Sequence, residues 1–127
     1  MNEGRVFDVK GPVDLFDEYA AGYAHKDVGE VIALFSEDAV FKDPRFNPFV
    51  GRQSIKSFLT SEYGKIDEYR VEKLFTCVQG DKAAVEWRIE VKIKATGKKV
   101  SLDGVTLIEA RNGLIQSLRE YYYSYEY

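Results

Sequence analysis

Apolar side chains recur at helical spacing near the start of the chain. Val13, Phe16, Tyr19, Ala20 and Tyr23 fall on one face, and Asp14, Glu18 and Ala21 on the other. Pro12 suits the first turn of that helix, where a missing N–H leaves no hydrogen bond unmade. Asp27 followed three residues later by Glu30 has an Asp form of the capping-box spacing and precedes Val28, Val31, Ile32 and Phe35, which predicts a short second helix. Ala39 to Asp43 reads as a brief strand stopped by Pro44, which lacks the ladder donor and forces its predecessor into an extended conformation. A loop from Pro44 to Gly51 follows. Ile55, Phe58 and Leu59, spaced by polar residues, then give a third helix to about Tyr63.

From about Glu68 the hydrophobic period shortens from 3.6 to 2. The turn signals Gln79-Gly80-Asp81, Thr96-Gly97-Lys98 and Arg111-Asn112-Gly113 divide the remainder into four long strands joined by hairpins, hence antiparallel. In Ala83 to Ala95 the residues Ala83, Val85, Trp87, Ile89, Val91 and Ile93 alternate with Glu86, Arg88, Glu90, Lys92 and Lys94, so one face is buried and the other wet. Between Lys98 and Ala110, Val100 and Leu102 take one phase while Val105 and Leu107 take the other. That change predicts a bulge or sharp bend at Asp103-Gly104. The fold class that follows is α+β: a conical barrel of three N-terminal helices packed on a strongly bent antiparallel sheet. Such a cone leaves a cavity between helices and sheet, where a ligand site is expected.

At 127 residues and 14.5 kDa the chain has the size of one domain, enough to bury a sizeable core. No repeat, linker or low-complexity segment divides it, so residues 1–127 read as a single domain. Its 18 basic and 21 acidic residues lack the footprint of a nucleic-acid binder, and an acidic lipid surface is excluded on the same ground. One cysteine, Cys77, excludes an internal disulfide, and one histidine, His25, excludes a Cys/His zinc cluster or a Ser-His-Asp triad. The expectation is therefore chemistry or binding without metal or cofactor. Met1 to Lys10 lacks the apolar run of a signal peptide, and no apolar stretch is long enough to span a bilayer, which predicts a cytoplasmic protein with no membrane partner. His25 reads as a loop or helix-end residue, and Cys77 as an inert packed thiol.

Three polar residues are candidates for chemistry. Asp43 is in phase with Ala39 and Phe41, so it points inward if Phe41 does. Tyr19 lies in the apolar stripe of the first helix, and its hydroxyl then needs an interior partner or a route to water. Asp103 is in phase with Val105 and Leu107, which would make it a third interior polar group. Burial disfavours an ionised carboxyl and can leave it as a neutral donor. One ionised base with two donors is suited to moving a proton next to a carbonyl. Phe16, Tyr23, Phe41 and Phe58 are the expected apolar walls of a pocket for a small hydrophobic molecule.

The segments Tyr19 to Asp27, Ala33 to Phe35, Ala39 to Pro44 and Gly51 to Ile55, with the hairpin from Asp103 to Tyr121, resemble the nuclear transport factor 2-like superfamily, its SnoaL-like and ketosteroid isomerase-like branches in particular. The resemblance implies the conical α+β fold and commonly a homodimer. In ketosteroid isomerases a first-helix tyrosine precedes the aspartate of a strand-ending Asp-Pro by the 24 positions that separate Tyr19 from Asp43. By that resemblance Asp43 is the proton-shuttling base and Tyr19 an oxyanion-hole donor. Asp103 is the neutral acid that completes the hole, an arrangement known from that enzyme.

Each residue also has a structural reading. Asp43 is then an ordinary Asp-Pro turn residue, Tyr19 a core tyrosine, and Asp103 a solvated bulge residue. The alternative function is accordingly a non-catalytic hydrophobic-ligand-binding or dimerisation module on the same fold. A third option is an epoxide hydrolase or cyclase using Asp43 with Arg88 or Arg119, although no Asp–Arg pairing is visible in the spacing. The odd-numbered tyrosines Tyr121, Tyr123, Tyr125 and Tyr127 line one sheet face behind Arg119, which suits a subunit interface as well as a pocket wall.

Overall fold

The computed structural model of the protein describes residues 9–126. Helix α1 spans Pro12–His25 with Pro12 in its first turn, and it ends at Lys26, whose left-handed backbone (φ 61°) turns its N–H back to the carbonyls of Gly22 and Tyr23. Asp27 caps α2 (Val28–Ile32), its carboxylate accepting from the Glu30 amide at 3.0 Å. The two helices approach closely at Gly22, where an added Cβ would lie 2.1 Å from Val31 Cγ2.

Strand β1 (Phe35–Lys42) begins earlier than hydrophobic spacing suggests, because Phe35 is drawn into pairing with Ile115 instead of extending α2. A two-residue strand β2 (Phe49–Val50) pairs back on β1 within the segment expected to be loop. Helix α3 (Arg52–Tyr63) and four long strands complete the chain: β3 (Ile66–Gln79), β4 (Lys82–Ile93), β5 (Lys99–Arg111) and β6 (Leu114–Glu126). The sheet order is β2-β1-β6-β5-β4-β3. The last four strands are antiparallel, as their turns predict, but β1 and β6 run parallel, so the sheet is mixed rather than wholly antiparallel. It curls without closing, with β2 and β3 as its edges. The three helices cover its concave face, over a core that includes Leu15, Phe16, Phe35, Phe41, Ile55, Leu59, Val85 and Leu118.

The bulge expected at Asp103-Gly104 is absent. Pairing of β5 with β4 runs without a register shift from Glu109 opposite Lys82 to Lys99 opposite Lys92. One inward phase runs through Val100, Leu102, Gly104, Thr106 and Ile108, leaving Asp103, Val105 and Leu107 on the convex face. Gly104 interrupts the apolar alternation because nothing larger fits. A Cβ there would lie 2.4 Å from the Tyr121 carbonyl oxygen and 2.9 Å from the Trp87 ring. Among the described residues no helix is long and apolar enough to cross a membrane.

Candidate active site in the mouth and floor of the cone

A cavity of about 260 Å³ lies between α1, α3 and the concave face of the sheet. Its apolar wall comes from the inward phases of β4 and β5, including Ile89, Val91, Val100 and Leu102. Its polar residues come from the position just after β1 (Asp43), the following turn (Arg45), α3 (Glu62), α1 (Tyr19, Tyr23) and β6 (Glu120, Tyr122).

Asp43 is 4% exposed and fully engaged. Its Oδ1 accepts from the Arg45 amide at 2.9 Å and from Arg45 Nε at 3.0 Å, its Oδ2 accepts from Arg45 Nη2 at 3.1 Å, and the Tyr122 hydroxyl lies 3.0–3.1 Å from both oxygens. The local cause is Pro44, which ends β1 and lets the chain reverse so that Arg45 folds back over the carboxylate. Arg45 Nη2 also donates to Glu62, whose second oxygen accepts from Lys65 at 3.1 Å. A carboxylate–guanidinium–carboxylate bridge thus spans the cavity mouth. The hydrogen bond to Asp43, followed by that to Glu62, holds the Arg45 guanidinium above its already high range.

Glu120 faces the same cavity from β6 and meets different conditions. Desolvation, and secondarily the charge of Asp43, pushes its carboxyl up to about 8, against the weaker opposing effect of the Thr106 hydroxyl that donates to it at 3.3 Å. Its side chain is half-buried and borders the cavity. Glu120 is therefore predominantly a protonated acid at neutral pH. Thr106 is itself fixed by Trp87, whose Nε1–H donates to it at 2.8 Å. Tyr19, Tyr23 and Tyr69 are all raised well above the ordinary tyrosine range, mainly by burial, so their hydroxyls remain donors.

The structure brings Tyr19, Tyr23 and Asp43 to one cavity. It places Asp103 elsewhere: on the convex face, accepting from Arg88 Nε at 2.8 Å and from the Tyr123 and Tyr125 hydroxyls at 3.2 Å. The Arg88 hydrogen bond, foremost, lowers its carboxyl, which makes Asp103 the opposite of a neutral interior acid. Phe16, Phe41 and Phe58 pack in the core beside the cavity rather than lining it; Phe58, for example, stacks on Phe49 with ring centroids 4.4 Å apart. Arg88 and Arg119, the arginines that the epoxide hydrolase or cyclase option pairs with Asp43, both lie on the convex face. Cys77 is exposed rather than packed.

Sequence reasoning did not single out Arg45, Glu62, Glu120 or Tyr122. The signal for Arg45 was its place two residues after Asp43 across a proline. For Glu120 it was a carboxylate on the same strand phase as Leu118 and Tyr122. Among the described residues, no cluster of three His, Cys, Asp or Glu side chains is placed to hold a metal ion.

A profile of the SnoaL-like domain matches residues 16–118. The chain belongs to the SnoaL-like domain family. A comparison with curated proteins finds no match. Among solved structures, this SnoaL-like chain is similar to a hypothetical protein with a ketosteroid isomerase-like fold from Catenulispora acidiphila, in complex with trimethylamine, at 21% identity and a TM-score of 0.78, over 89% of this chain and 87% of the other. It is also similar to SalBIII, an epoxide hydrolase/cyclase-like enzyme of pyran ring formation in salinomycin, at 20% identity and a TM-score of 0.78, over 90% and 94%. An epoxide hydrolase of Mycobacterium tuberculosis is 17% identical with a TM-score of 0.74, over 87% and 80%. Identities this low establish the shared fold, not a shared reaction.

Proposed function

We propose that this SnoaL-like protein is an enzyme that moves a proton alpha to the carbonyl of a compact hydrophobic ketone, using its own side chains. The observation that carries the reading is that Asp43, Tyr19 and Glu120 border one cavity, opposite an apolar wall that includes Ile89, Val91, Val100 and Leu102. Asp43 takes the proton as the C–H bond breaks and returns it to another carbon of the resulting enolate. Tyr19 and protonated Glu120 donate to the carbonyl oxygen as negative charge accumulates there. Glu120 supplies the neutral-acid role that the family resemblance assigned to Asp103. Carboxyls whose surroundings give them separate roles in one site are a common acid–base arrangement.

One observation favours a second reaction. Arg45 bridges Asp43 and Glu62, and such a bridge suits water attack on an epoxide: Glu120 protonates the epoxide oxygen, the C–O bond breaks, and Asp43 takes a proton from the attacking water as the new C–O bond forms. A panel of β,γ-enones followed by ultraviolet absorbance, and of small epoxides followed by diol formation, separates the two. Asp43→Asn is expected to cost about 10²–10⁴ in rate, and Tyr19→Phe about 10²–10³. A wild type that turns over neither class yet binds hydrophobic ligands would instead be a non-catalytic binding module.

We also propose that the protein is a cytoplasmic homodimer joined through the convex sheet face. Leu74, Phe75, Tyr121 and Tyr123 all stand exposed there, and large apolar side chains gathered on one open face suit a subunit interface.

A further inference from the structure

Three carboxyls and two cations border the cavity: Asp43, Glu62 and Glu120 against Arg45 and Lys65. Both cations are already engaged, Arg45 with Asp43 and Glu62, and Lys65 with Glu62. Glu120 is left over. Among the described residues no cation bonds to it, and its one hydrogen bond comes from the Thr106 hydroxyl. Tyr19, Tyr23, Tyr69, Trp87 and Tyr122 border the same space. The Tyr19 side chain, 2% exposed, lines the cavity with its hydroxyl unpartnered among the described residues.

A carboxyl with no cation bonded to it, set among aromatic rings, lacks one component of a familiar arrangement. We propose that the cavity binds a compact tertiary or quaternary ammonium ion, with Glu120 as its counter-ion and the surrounding aromatic side chains as its walls. The π-systems of Trp and Tyr attract a cation, and the attraction is largest where both are out of water. The same apolar, aromatic surroundings disfavour a bare carboxylate, so the empty site keeps its proton. The volume of about 260 Å³ lies just below the usual range of roughly 300–1,000 Å³ for small-molecule sites, which calls for a compact cation. This inference rests on the cavity being a ligand site, as proposed above, and not on which reaction occurs there.

Binding then exchanges one positive charge for another. The ammonium ion enters, Glu120 ionises, and its proton leaves to solvent. The groups that face Glu120 are Asp43 and Arg45 from the turn after β1, Glu62 from α3, and the tyrosines of α1, α3, β3 and β6. Arg45 stays charged throughout, and the tyrosines stay neutral below their raised range. Because the empty carboxyl titrates near 8, affinity for a permanent cation should rise about tenfold per pH unit up to that value and level off above it.

Isothermal titration of the full chain with choline, and with its neutral carbon isostere 3,3-dimethylbutan-1-ol, tests the inference. Choline is expected to bind at least tenfold more tightly than the isostere at pH 8. At pH 6.5 its heat should depend on the ionisation enthalpy of the buffer, as release of a proton requires; this readout needs no variant. Glu120→Gln should remove the preference for the cation while leaving the isostere's affinity unchanged. Equal binding of the two probes, or a preference that survives in Glu120→Gln, overturns the ammonium inference. If in addition neutral ketones bind, the ligand-site reading stands without it. If cation, isostere and ketones all fail to bind, both readings fall.

Discussion

Arg45 follows Asp43 by two residues and folds back across Pro44 to meet it with both its backbone amide and its guanidinium. Its outer nitrogen reaches on to Glu62, so one exposed arginine ties two buried carboxylates on separate elements. Arg45→Met should leave Asp43 buried with only the Tyr122 hydroxyl as a side-chain partner. Because the guanidinium is 46% exposed, solvent screens part of the pair, and the expected loss is about 1–2 kcal/mol by chemical denaturation. Tyr122→Phe keeps the arginine and should cost less. An Arg45→Met protein as stable as wild type would mean that water replaces the guanidinium without penalty.

Glu120 sets a pH dependence of the opposite sign to that of most carboxylates. Its folded-state value, about 8, lies above the ordinary carboxyl value of 4.5, so the native state holds a proton that the unfolded chain has released. Stability from this group is complete below about 4.5 and is lost as pH rises towards and through 8, by on the order of a few kcal/mol. Denaturation curves between pH 5 and 9 should show that decline in the wild type and lack it in Glu120→Gln.

Gly104 lies where β5, β6 and Trp87 meet. Gly104→Ala would place its Cβ 2.4 Å from the Tyr121 carbonyl oxygen and 2.5 Å from Tyr122 Cβ, forcing β6 outward at the residue that holds Asp43. Overpacking of this kind costs about 1–3 kcal/mol, read as a lower Tm. Gly11→Ala is the control, since nothing lies within 4 Å of the added atom.

The convex face offers a separate test. Sedimentation at micromolar concentration is expected to give a dimer for the wild type. Tyr123→Lys, which puts a charge at a side chain 65% exposed in the single chain, should shift it to monomer without changing the circular dichroism spectrum. A wild-type monomer at that concentration would remove the homodimer.

Helices and long strands were legible because their hydrophobic periods are local properties, and Pro12, Asp27 and the three hairpin turns act within a few residues of where they stand. The parallel partner of β1 was not, since no period in Phe35–Lys42 specifies that Leu118 lies opposite Phe41. Asp43 was placed correctly by its phase with Phe41, both being buried. Asp103 was misplaced because β5 carries apolar residues on both faces. Its inward phase passes through Gly104, so the space there is filled by Trp87 from the neighbouring strand and not by β5 itself. Glu120 escaped notice because an acidic residue on a strand normally signals solvent, and here the cavity takes its place.

The parallel pairing of β1 with β6 also governs when the site comes into being. Asp43 follows β1, while Glu120 and Tyr122 sit on β6, and the chain between Phe41 and its partner Leu118 is about three fifths of the protein. At ribosomal rates of about 5–20 residues per second, those intervening residues take roughly 4–15 s to emerge. Through that interval α1, α2 and β1 are present, but the central seam of the sheet is open and Asp43 has no Tyr122 to meet. The cavity's polar cluster therefore forms late in synthesis, and a nascent chain released before β6 would present the bare edge of β1 to its neighbours.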